Sequence, residues 1–431
     1  MQRAVSCCPR LALLGLGVVL ALWLLAAPVQ ANGGGIEVLD DRHEAGAPGE
    51  LNFTLTAEGE EEIVEARLFY RTLVEGVWSY AYFALNPGRH VTARLDLSIA
   101  GFSYLSPGAE LEYYYVIRDA QGNVHQTATQ VFEYVDNRFQ WEKTQVGPLL
   151  LLYHDLSQSR VAAVTRKVEE ALDRISSILQ METAGPIRGV IYNSDAEARD
   201  VFPRQSQTTT DAEVFGGFAF PPNGVFVGIG LETRIIVHES AHLLLDQAVG
   251  PDALPLPAWL NEGFASYAEP GSTFYSGQSL NSQGLPLRAM TRVSGAPQSI
   301  FTFYRKAGSV VSYMIEEFGV EPFQRLLGEL AKGSTTEDAL TQAYGFGVTE
   351  LEARWASDAS RPPAPAPGFP AGGISWVNFS SVVMGALAVV VMLLVVFRHA
   401  VRKLRPTDGP EDGLQPWEDP DLLEREEDYR P

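Results

Sequence analysis

The chain has 431 residues, of which 46% are hydrophobic, so it can hold two or three domains and bury a sizeable core. Its formal net charge of -21 argues against a nucleic-acid partner, because phosphate binding needs clustered Lys and Arg. The only two cysteines, Cys7 and Cys8, lie before the first apolar run. Since no cysteine follows Cys8, any metal site in the rest of the chain must use His and carboxylate ligands.

Residues 1–31 have the pattern of a secretory signal peptide. Arg3 and Arg10 supply a positive start, an apolar stretch follows, and Val29-Gln30-Ala31 fits a small-residue cleavage site. An uncleaved membrane anchor is the alternative interpretation.

Residues 36–140 are strand-like, with segments such as "ELNFTLTAEG", "EARLFYRT" and "LEYYYVIRD" alternating apolar and polar residues. Gly, Pro and Asn turns separate them at the spacing of short antiparallel strands. The region predicts an all-β sandwich, and "YYYVIRDAQGN" is similar to the late strand and turn of immunoglobulin or fibronectin modules.

Residues 147–358 predict an α+β domain with strands first and helices after. "LLLLYHD" and "RGVIYNS" predict strands on either side of a helix over Ser159–Leu179. "EVFGGFAF" and "GVFVGIG" predict a hairpin, and a helix over about Glu232–Ala248 follows directly. Residues 258–268 and most of the chain from Tyr304 predict further helices.

The helix after the hairpin carries the sequence His-Glu-Ser-Ala-His at residues 238–242. Residues four apart share a helix face, so His238 and His242 can bind one metal ion. Glu239 lies beside the first histidine, where it can reach a metal-bound water as a general base. Two histidines at a helix–helix contact are the structural alternative, although chance predicts roughly 0.01 such motifs in this composition.

A third protein ligand is available in "PAWLNEGFASYAE", where Glu262 follows His242 by 20 residues. A return helix in that interval would bring the carboxylate back across the first helix. Its neighbours Trp259 and Phe264 are apolar, so that helix should be buried. A buried carboxylate needs a cation or hydrogen-bond donors, which favours a metal site over a surface glutamate.

The segments "HESAH" and "WLNEGFASY" resemble the gluzincin metallopeptidases, especially the aminopeptidase-N-like branch and the related peptidase MA-like domains. The resemblance implies a thermolysin-like α+β domain with Zn²⁺ bound by His238, His242 and Glu262, and with Glu239 as the base. "FYRKAGSVVSYM" is similar to the segment that carries a transition-state tyrosine in that branch, and Tyr304 matches it. A packing tyrosine on an amphipathic helix is the alternative for Tyr304.

The chain departs from that branch just before the motif helix. Its exopeptidases carry a Gly-x-Met-Glu-Asn segment whose Glu holds the substrate's free amine, whereas residues 216–230 here contain no acidic residue. An endopeptidase, or a peptidase with a narrow substrate range, therefore fits better than an aminopeptidase.

The C-terminal part predicts a membrane anchor. A Pro-rich linker at 361–375 leads into an apolar stretch at 377–397, long enough for a single transmembrane helix, and Arg398 and Arg402 begin a basic cluster after it. The positive-inside rule then makes the acidic tail at 398–431 cytoplasmic and the domains before the helix extracytoplasmic.

The sequence thus predicts a multidomain, single-pass cell-membrane protein with an extracytoplasmic zinc peptidase domain that hydrolyses peptides or proteins. The alternative is an inactive peptidase-like protein that serves surface binding or assembly. The complete set of His238, Glu239, His242 and Glu262 favours the enzyme.

Overall fold

Residues 35–359 carry the fold in the computed structural model, apart from 46–48, 75–76, 99–103, 182–183, 203–215, 273–284 and 294–296. The described residues belong to one compact unit. The predicted signal peptide, linker, transmembrane helix and tail lie outside the described residues. Within the part that is described, no helix combines the length and apolar character needed to cross a membrane.

The first part of the chain forms a seven-stranded antiparallel sheet. Its strands are β1 (Ile36–Ala45), β2 (Glu50–Thr72), β3 (Ser79–Tyr82), β4 (Gly88–Ser98), β5 (Glu110–Asp119), β6 (Val124–Gln126) and β7 (Gln130–Glu133). β2 organises the sheet because β1 and β4 pair with its first half, while β3 and β5 pair with its second half. The all-β character predicted for residues 36–140 is confirmed.

The structure differs from a sandwich of two separate sheets. "ELNFTLTAEG" and "EARLFYRT", predicted as two strands, belong to the single 23-residue strand β2, which is hydrogen-bonded to neighbours along both halves. A register shift between Glu58 and Ile63 separates the halves, so the polar run that suggested a turn is an irregularity within one strand. An immunoglobulin-like topology is not confirmed.

A five-stranded sheet follows, in the order β11-β12-β10-β9-β8. Its strands are β8 (Glu142–Val146), β9 (Leu149–Tyr153), β10 (Ile187–Tyr192), β11 (Gly217–Phe220) and β12 (Val225–Ile229). The inner strands β9, β10 and β12 run parallel, and helix α1 (Gln158–Ile178) makes the crossover between β9 and β10. β11 turns back antiparallel to β12 through the predicted hairpin, so it forms one edge of the sheet.

The other helices mostly follow the sheet. They are the short α2 (Asp195–Ala198), α3 (Thr233–Val249), α4 (Ala258–Ala268), α5 (Pro297–Phe318), α6 (Val320–Leu330), α7 (Thr336–Tyr344) and α8 (Val348–Ala359). Strands before helices is the order predicted for an α+β domain. Helical structure was predicted from Tyr304 onward, whereas α5 begins seven residues earlier, at Pro297.

Alternate residues of the five-stranded sheet enter two different apolar cores. Leu151, Ile191 and Phe226 pack with the helices, whereas Val190 and Val227 pack with the residues of the seven-stranded sheet. Successive side chains of a strand point to opposite faces, so the sheet has helices on one face and the first sheet on the other. The parallel strands are consequently buried on both faces, which explains their nearly continuous apolar sequence.

Candidate metal and catalytic centre

Helix α3 lies in the helical core and carries both histidines. Leu243, Leu244 and Leu245 are buried together with residues on most of its circumference, as expected for a helix that is apolar all round. His242 is buried and His238 is mostly so. Their Nε2 atoms face each other at 3.2 Å, because a spacing of four residues places both rings on one face.

Helix α4 brings Glu262 to the same point. Its Oε2 lies 3.4 Å from His238 Nε2 and 3.3 Å from His242 Nε2. Trp259 and Phe264 are fully buried, so the apolar side of α4 packs into the core and holds the carboxylate against α3. Glu262 Oε2 is buried yet accepts no hydrogen bond of ordinary geometry from the protein.

These three atoms have the spacing that a metal ion requires. A tetrahedral zinc with bonds of 2.0–2.1 Å separates its ligand atoms by about 3.3 Å. The three pairwise distances, 3.2, 3.3 and 3.4 Å, match that value. Because the two Nε2 atoms face each other, only one can hold a proton between them, whereas one metal ion satisfies all three ligands. The residues therefore fit a metal ion.

Two further side chains hold the histidine rings in place. Asn261 Oδ1 lies 2.9 Å from His242 Nδ1, and Glu269 Oε1 lies 2.9 Å from His238 Nδ1. A partner at Nδ1 fixes the tautomer and leaves Nε2 free to bind a metal. Burial disfavours a positive charge on His238, but the adjacent Glu262 and Glu269 carboxylates outweigh it and raise its pKa to about 10.

Glu239 lies next to the metal-ligand group, on the neighbouring face of α3. It is buried, and burial raises its pKa above the usual range although His238 and His242 oppose that shift. Gly217 on β11 makes room for it, since a Cβ there would lie 2.9 Å from Glu239 Cγ. The side chain is thus held between the edge strand and the histidines, where it can take up a proton.

Tyr304 reaches the site from α5, with its ring 6.1 Å from that of His238. Helices α4 and α5 can approach closely because Gly263 has no side chain. A Cβ at this position would lie only 2.6 Å from the Ala307 carbonyl oxygen. Burial raises the pKa of the Tyr304 hydroxyl, and the Glu262 and Glu239 carboxylates raise it further. The phenol therefore remains a hydrogen-bond donor.

All of these groups open into one cleft of about 680 Å³, within the usual size range of a ligand site. Part of its lining comes from β11, including Gly217 and Ala219, and another part comes from α5, including Phe301 and Tyr304. The acidic residue that is missing from the sequence around 216–230 is also missing from the part formed by β11, where Ala219 lines the cleft.

The structure brings together all five residues that the sequence singled out, namely His238, Glu239, His242, Glu262 and Tyr304. Sequence reasoning missed Asn261, Glu269 and Gly217. A signal existed for Glu269, which lies seven residues, or about two helical turns, after Glu262 and so on the same face. Gly217 gave none, since its role depends on how closely β11 approaches α3.

A protein-family model, that of the peptidase MA superfamily, matches residues 168–359. The matched range includes His238, Glu239, His242, Glu262 and Tyr304. No curated protein sequence matches the chain.

Three solved structures illustrate the similarity in shape. The M1 zinc metallopeptidase from Deinococcus radiodurans is 15% identical over 78% of this chain and 97% of its own, with a TM-score of 0.34. Wild-type OgpA from Akkermansia muciniphila is 10% identical over 23% of this chain, with a TM-score of 0.19, and the match spans only 28% of its length. A β-1,3-glucan-binding domain of carbohydrate-binding module family 56 is 15% identical over 22% of this chain and 96% of its own, with a TM-score of 0.15. With scores below 0.5, these are partial likenesses of shape.

Proposed function

We propose that the protein is a zinc-dependent peptidase, on the premise that residues 168–359, which match the family model of the peptidase MA superfamily, form a domain of that kind. The observation that carries the proposal is the convergence of His238, His242 and Glu262 at 3.2–3.4 Å. These three residues would hold the ion. When bound, zinc would supply a Lewis acid that activates water and polarises the substrate carbonyl.

The remaining steps fall to side chains of the chain itself. Glu239 accepts the proton of the attacking water and later transfers it to the leaving amine, since it is buried beside both histidines. Tyr304 stays protonated and donates a hydrogen bond to the oxygen that becomes negative in the transition state. The edge strand β11 offers backbone groups along which an extended peptide can pair.

We propose an endopeptidase rather than an aminopeptidase. The cleft-lining carboxylates are Glu239, Glu262 and Glu269, and each is already engaged in the centre. β11 adds none, because its residues are Gly217, Phe218, Ala219 and Phe220. Among the cleft-lining residues that the structure describes, no carboxylate is left to hold a free amine.

We also propose that this domain works outside the cell, anchored by the stretch at 377–397. The support is the apolar sequence and the basic cluster after it. Protease treatment of intact cells tests the topology: the domain should be digested while an epitope in 398–431 is protected. Protection of both parts would contradict it.

The peptidase proposal is tested with the full-length protein, on an unstructured protein substrate, with and without a chelator. Glu239→Gln should lower hydrolysis by about 10²–10⁴-fold while the bound zinc is retained, because a general base contributes that much. Asp246→Asn, an exposed carboxylate on the same helix, is the matched control and should leave the rate unchanged. Zinc-loaded wild type and Glu239→Gln with equal activity would favour the inactive binding or assembly protein instead.

A further inference from the structure

The seven-stranded sheet carries aromatic side chains on the face opposite to its core. Tyr113 and Tyr115 of β5 are buried, so Tyr114 between them lies on the outer face. The strand register places Phe69 of β2 beside Tyr114 on one side and beside Tyr80 of β3 on the other. The outer aromatic residues, which we call the aromatic platform, are Phe69, Trp78, Tyr80, Tyr82 and Tyr114.

Contacts among the rings explain the order of the platform but not its exposure. Phe69 and Tyr114 are stacked with centroids 5.1 Å apart, and Trp78 meets the edge of Tyr114 at 4.9 Å. Cross-strand aromatic pairs of this kind stabilise a sheet. The outermost rings nevertheless face solvent, since Tyr80 is 59% and Tyr82 is 54% exposed. A contiguous exposed apolar patch marks an interaction surface.

The arginines at the platform are already paired with carboxylates. Arg71 lies over the Trp78 ring at 4.6 Å and is hydrogen-bonded to Glu112. Arg67 is paired with Glu65 at 3.1 Å. A partner that binds through charge, such as a nucleic acid or an anionic membrane surface, therefore gains little here. A neutral, apolar partner fits this surface better.

The platform lies at an edge of the sheet. Among the strands that the structure describes, only β2 pairs with β3, so the other side of β3 has no strand beside it. Phe83 N, just after β3, donates to Ala66 O, and alternate residues of a strand share this direction. The main-chain groups of Tyr80 and Tyr82 therefore point away from β2, toward the open edge.

This edge fits an extended polypeptide. A peptide can pair with the outward main-chain groups of β3 while its side chains meet the exposed rings of the same two tyrosines. Sugars and lipids have no main chain that continues a sheet. The combination of an open edge with aromatic side chains thus favours a polypeptide over either of them.

The platform is continuous with the candidate cleft. Val74 lies two residues after β2, and its Cγ2 is 3.0 Å from the position that a Cβ of Gly224 would take. Gly224 follows the turn of the β11–β12 hairpin, and Pro221 in that turn lines the cleft. Ser79, where β3 begins, is five residues from Val74, so at most about 35 Å separates the platform from the cleft. About ten residues of extended peptide span that distance.

We propose that the aromatic platform and the edge of β3 form an exosite, a second surface that binds the substrate polypeptide about ten residues from the cleaved bond. This inference rests on the proposed peptidase function and names its substrate class, namely unstructured polypeptides long enough to reach both surfaces. The bound stretch is neutral and packs apolar or aromatic side chains on Tyr80 and Tyr82. Holding it there raises the effective concentration of the rest of the chain at the cleft.

The first test compares peptides that share one cleavage site taken from the unstructured protein substrate. One is short, and the others carry about 15 more residues at either end, more than the span to the platform requires. The extension is rich in Thr, Val and Tyr, and a Gly/Ser extension of equal length controls for length alone. With the wild type we expect the Thr/Val/Tyr extension at one end to raise kcat/KM by about 10-fold over the short peptide, and the Gly/Ser extension to leave it unchanged.

The platform is tested by the ratio of kcat/KM between the extended and the short peptide, which cancels any change in the cleft itself. Tyr80→Ser and Tyr82→Ser, alone and together, should bring that ratio toward one, because they remove the exposed rings. Leu39→Ser, at an exposed apolar residue on β1 of the same sheet, is the matched control and should keep the ratio. N-methyl groups on alternate residues of the extension should also lower it, because they block main-chain pairing with β3.

A second test measures binding of the extension alone, without a cleavage site, to the full-length Glu239→Gln protein. The extension should bind, and its affinity should fall by about 10-fold when Tyr80→Ser and Tyr82→Ser are added. A neutral oligosaccharide and vesicles of neutral lipid are measured in parallel. Binding of either one through the two tyrosines, with no binding of the extension, would overturn the inference.

The outcomes separate this inference from the function on which it rests. Equal kcat/KM for the extended and the short peptides keeps the peptidase and overturns the exosite, whether or not the extension binds. No hydrolysis of any peptide overturns the peptidase, and binding of the extension then decides alone whether the platform holds a polypeptide. Binding that is unchanged by Tyr80→Ser and Tyr82→Ser would place the polypeptide elsewhere and also overturn the exosite.

Discussion

Two buried histidine clusters in the described chain use the same residue types and differ in geometry. At His154, just after β9, Nδ1 lies 3.0 Å from Asp155 and Nε2 lies 3.3 Å from Glu197, so each nitrogen has its own carboxylate. At α3, both Nε2 atoms instead converge on the single oxygen of Glu262. The two nitrogens of His154 face separate carboxylates and share no common point, whereas the atoms at α3 converge on one point that fits a shared cation.

The surroundings of the two clusters reinforce the difference. The ring of His154 is stacked on Phe139 at 4.2 Å and meets the edge of Trp141 at 5.1 Å, so aromatic side chains fill its faces. His238 and His242 border an open cleft. Among the residues that the structure describes, His238, His242 and Glu262 are the one group of three with the closeness of metal ligands. A metal centre is therefore distinguished by ligand atoms that converge on one point, and burial beside carboxylates alone does not distinguish it.

Replacing a converging histidine should have the largest effect. In His242→Ala, bound zinc should fall from about one per chain to a small fraction, and hydrolysis should disappear, because only two of three protein ligands remain. Elemental analysis of the full-length protein after dialysis measures this. Zinc retained at the wild-type level would show that the ion binds elsewhere.

Removing a residue that only orients a ring should have a smaller effect. Asn261→Ala leaves all three ligand atoms but frees His242 Nδ1, and losses of this kind weaken metal binding by about 10–100-fold. Competition with a chromophoric chelator gives the affinity. Asn193→Ala, beside His154, is the matched control and should not change it.

The secondary structure could be predicted from the sequence wherever a segment had a single hydrophobic periodicity, either that of a helix or that of a strand. α4 begins and ends where the sequence predicts, and the β11–β12 hairpin surrounds its Pro-Pro-Asn-Gly turn. β2 was not readable as one strand, because the run Glu58–Glu62 looks like a turn until the strands on either side are known.

The candidate metal ligands could also be predicted from local spacing in the sequence. His238 and His242 are fixed by one helical repeat, and Glu262 follows within a second helix. The role of Gly217 could not be predicted from the sequence, since it depends on a contact between different elements, namely with Glu239. Local spacing predicts ligands, whereas the shape of the cleft requires the tertiary structure.

A change at Gly217 should affect chemistry and leave the metal in place. The new Cβ in Gly217→Ala would lie 2.9 Å from both Glu239 Cγ and the Val227 carbonyl oxygen, so the base must shift. We expect kcat to fall by on the order of 10-fold, because catalysis is sensitive to small displacements of a base. Steady-state kinetics together with zinc analysis separate the two effects; a loss of zinc would mean that the change disturbs α3 itself.

The smallest effect on the centre should come from the other histidine. His154→Gln removes a ring from an aromatic cluster and should lower the free energy of unfolding by about 1–3 kcal/mol. Zinc content and kcat/KM should stay at wild-type values, as judged beside a denaturant titration. A loss of zinc in this variant would contradict the claim that only the histidines of α3 contribute to the metal centre.

The most direct test is the zinc-edge X-ray absorption spectrum of the purified full-length protein. The account predicts nitrogen and oxygen ligands at about 2.0–2.1 Å with the outer-shell scattering of two imidazoles. Zinc bound without imidazole scattering, or with the scattering of only one imidazole, would contradict a metal centre formed by His238, His242 and Glu262.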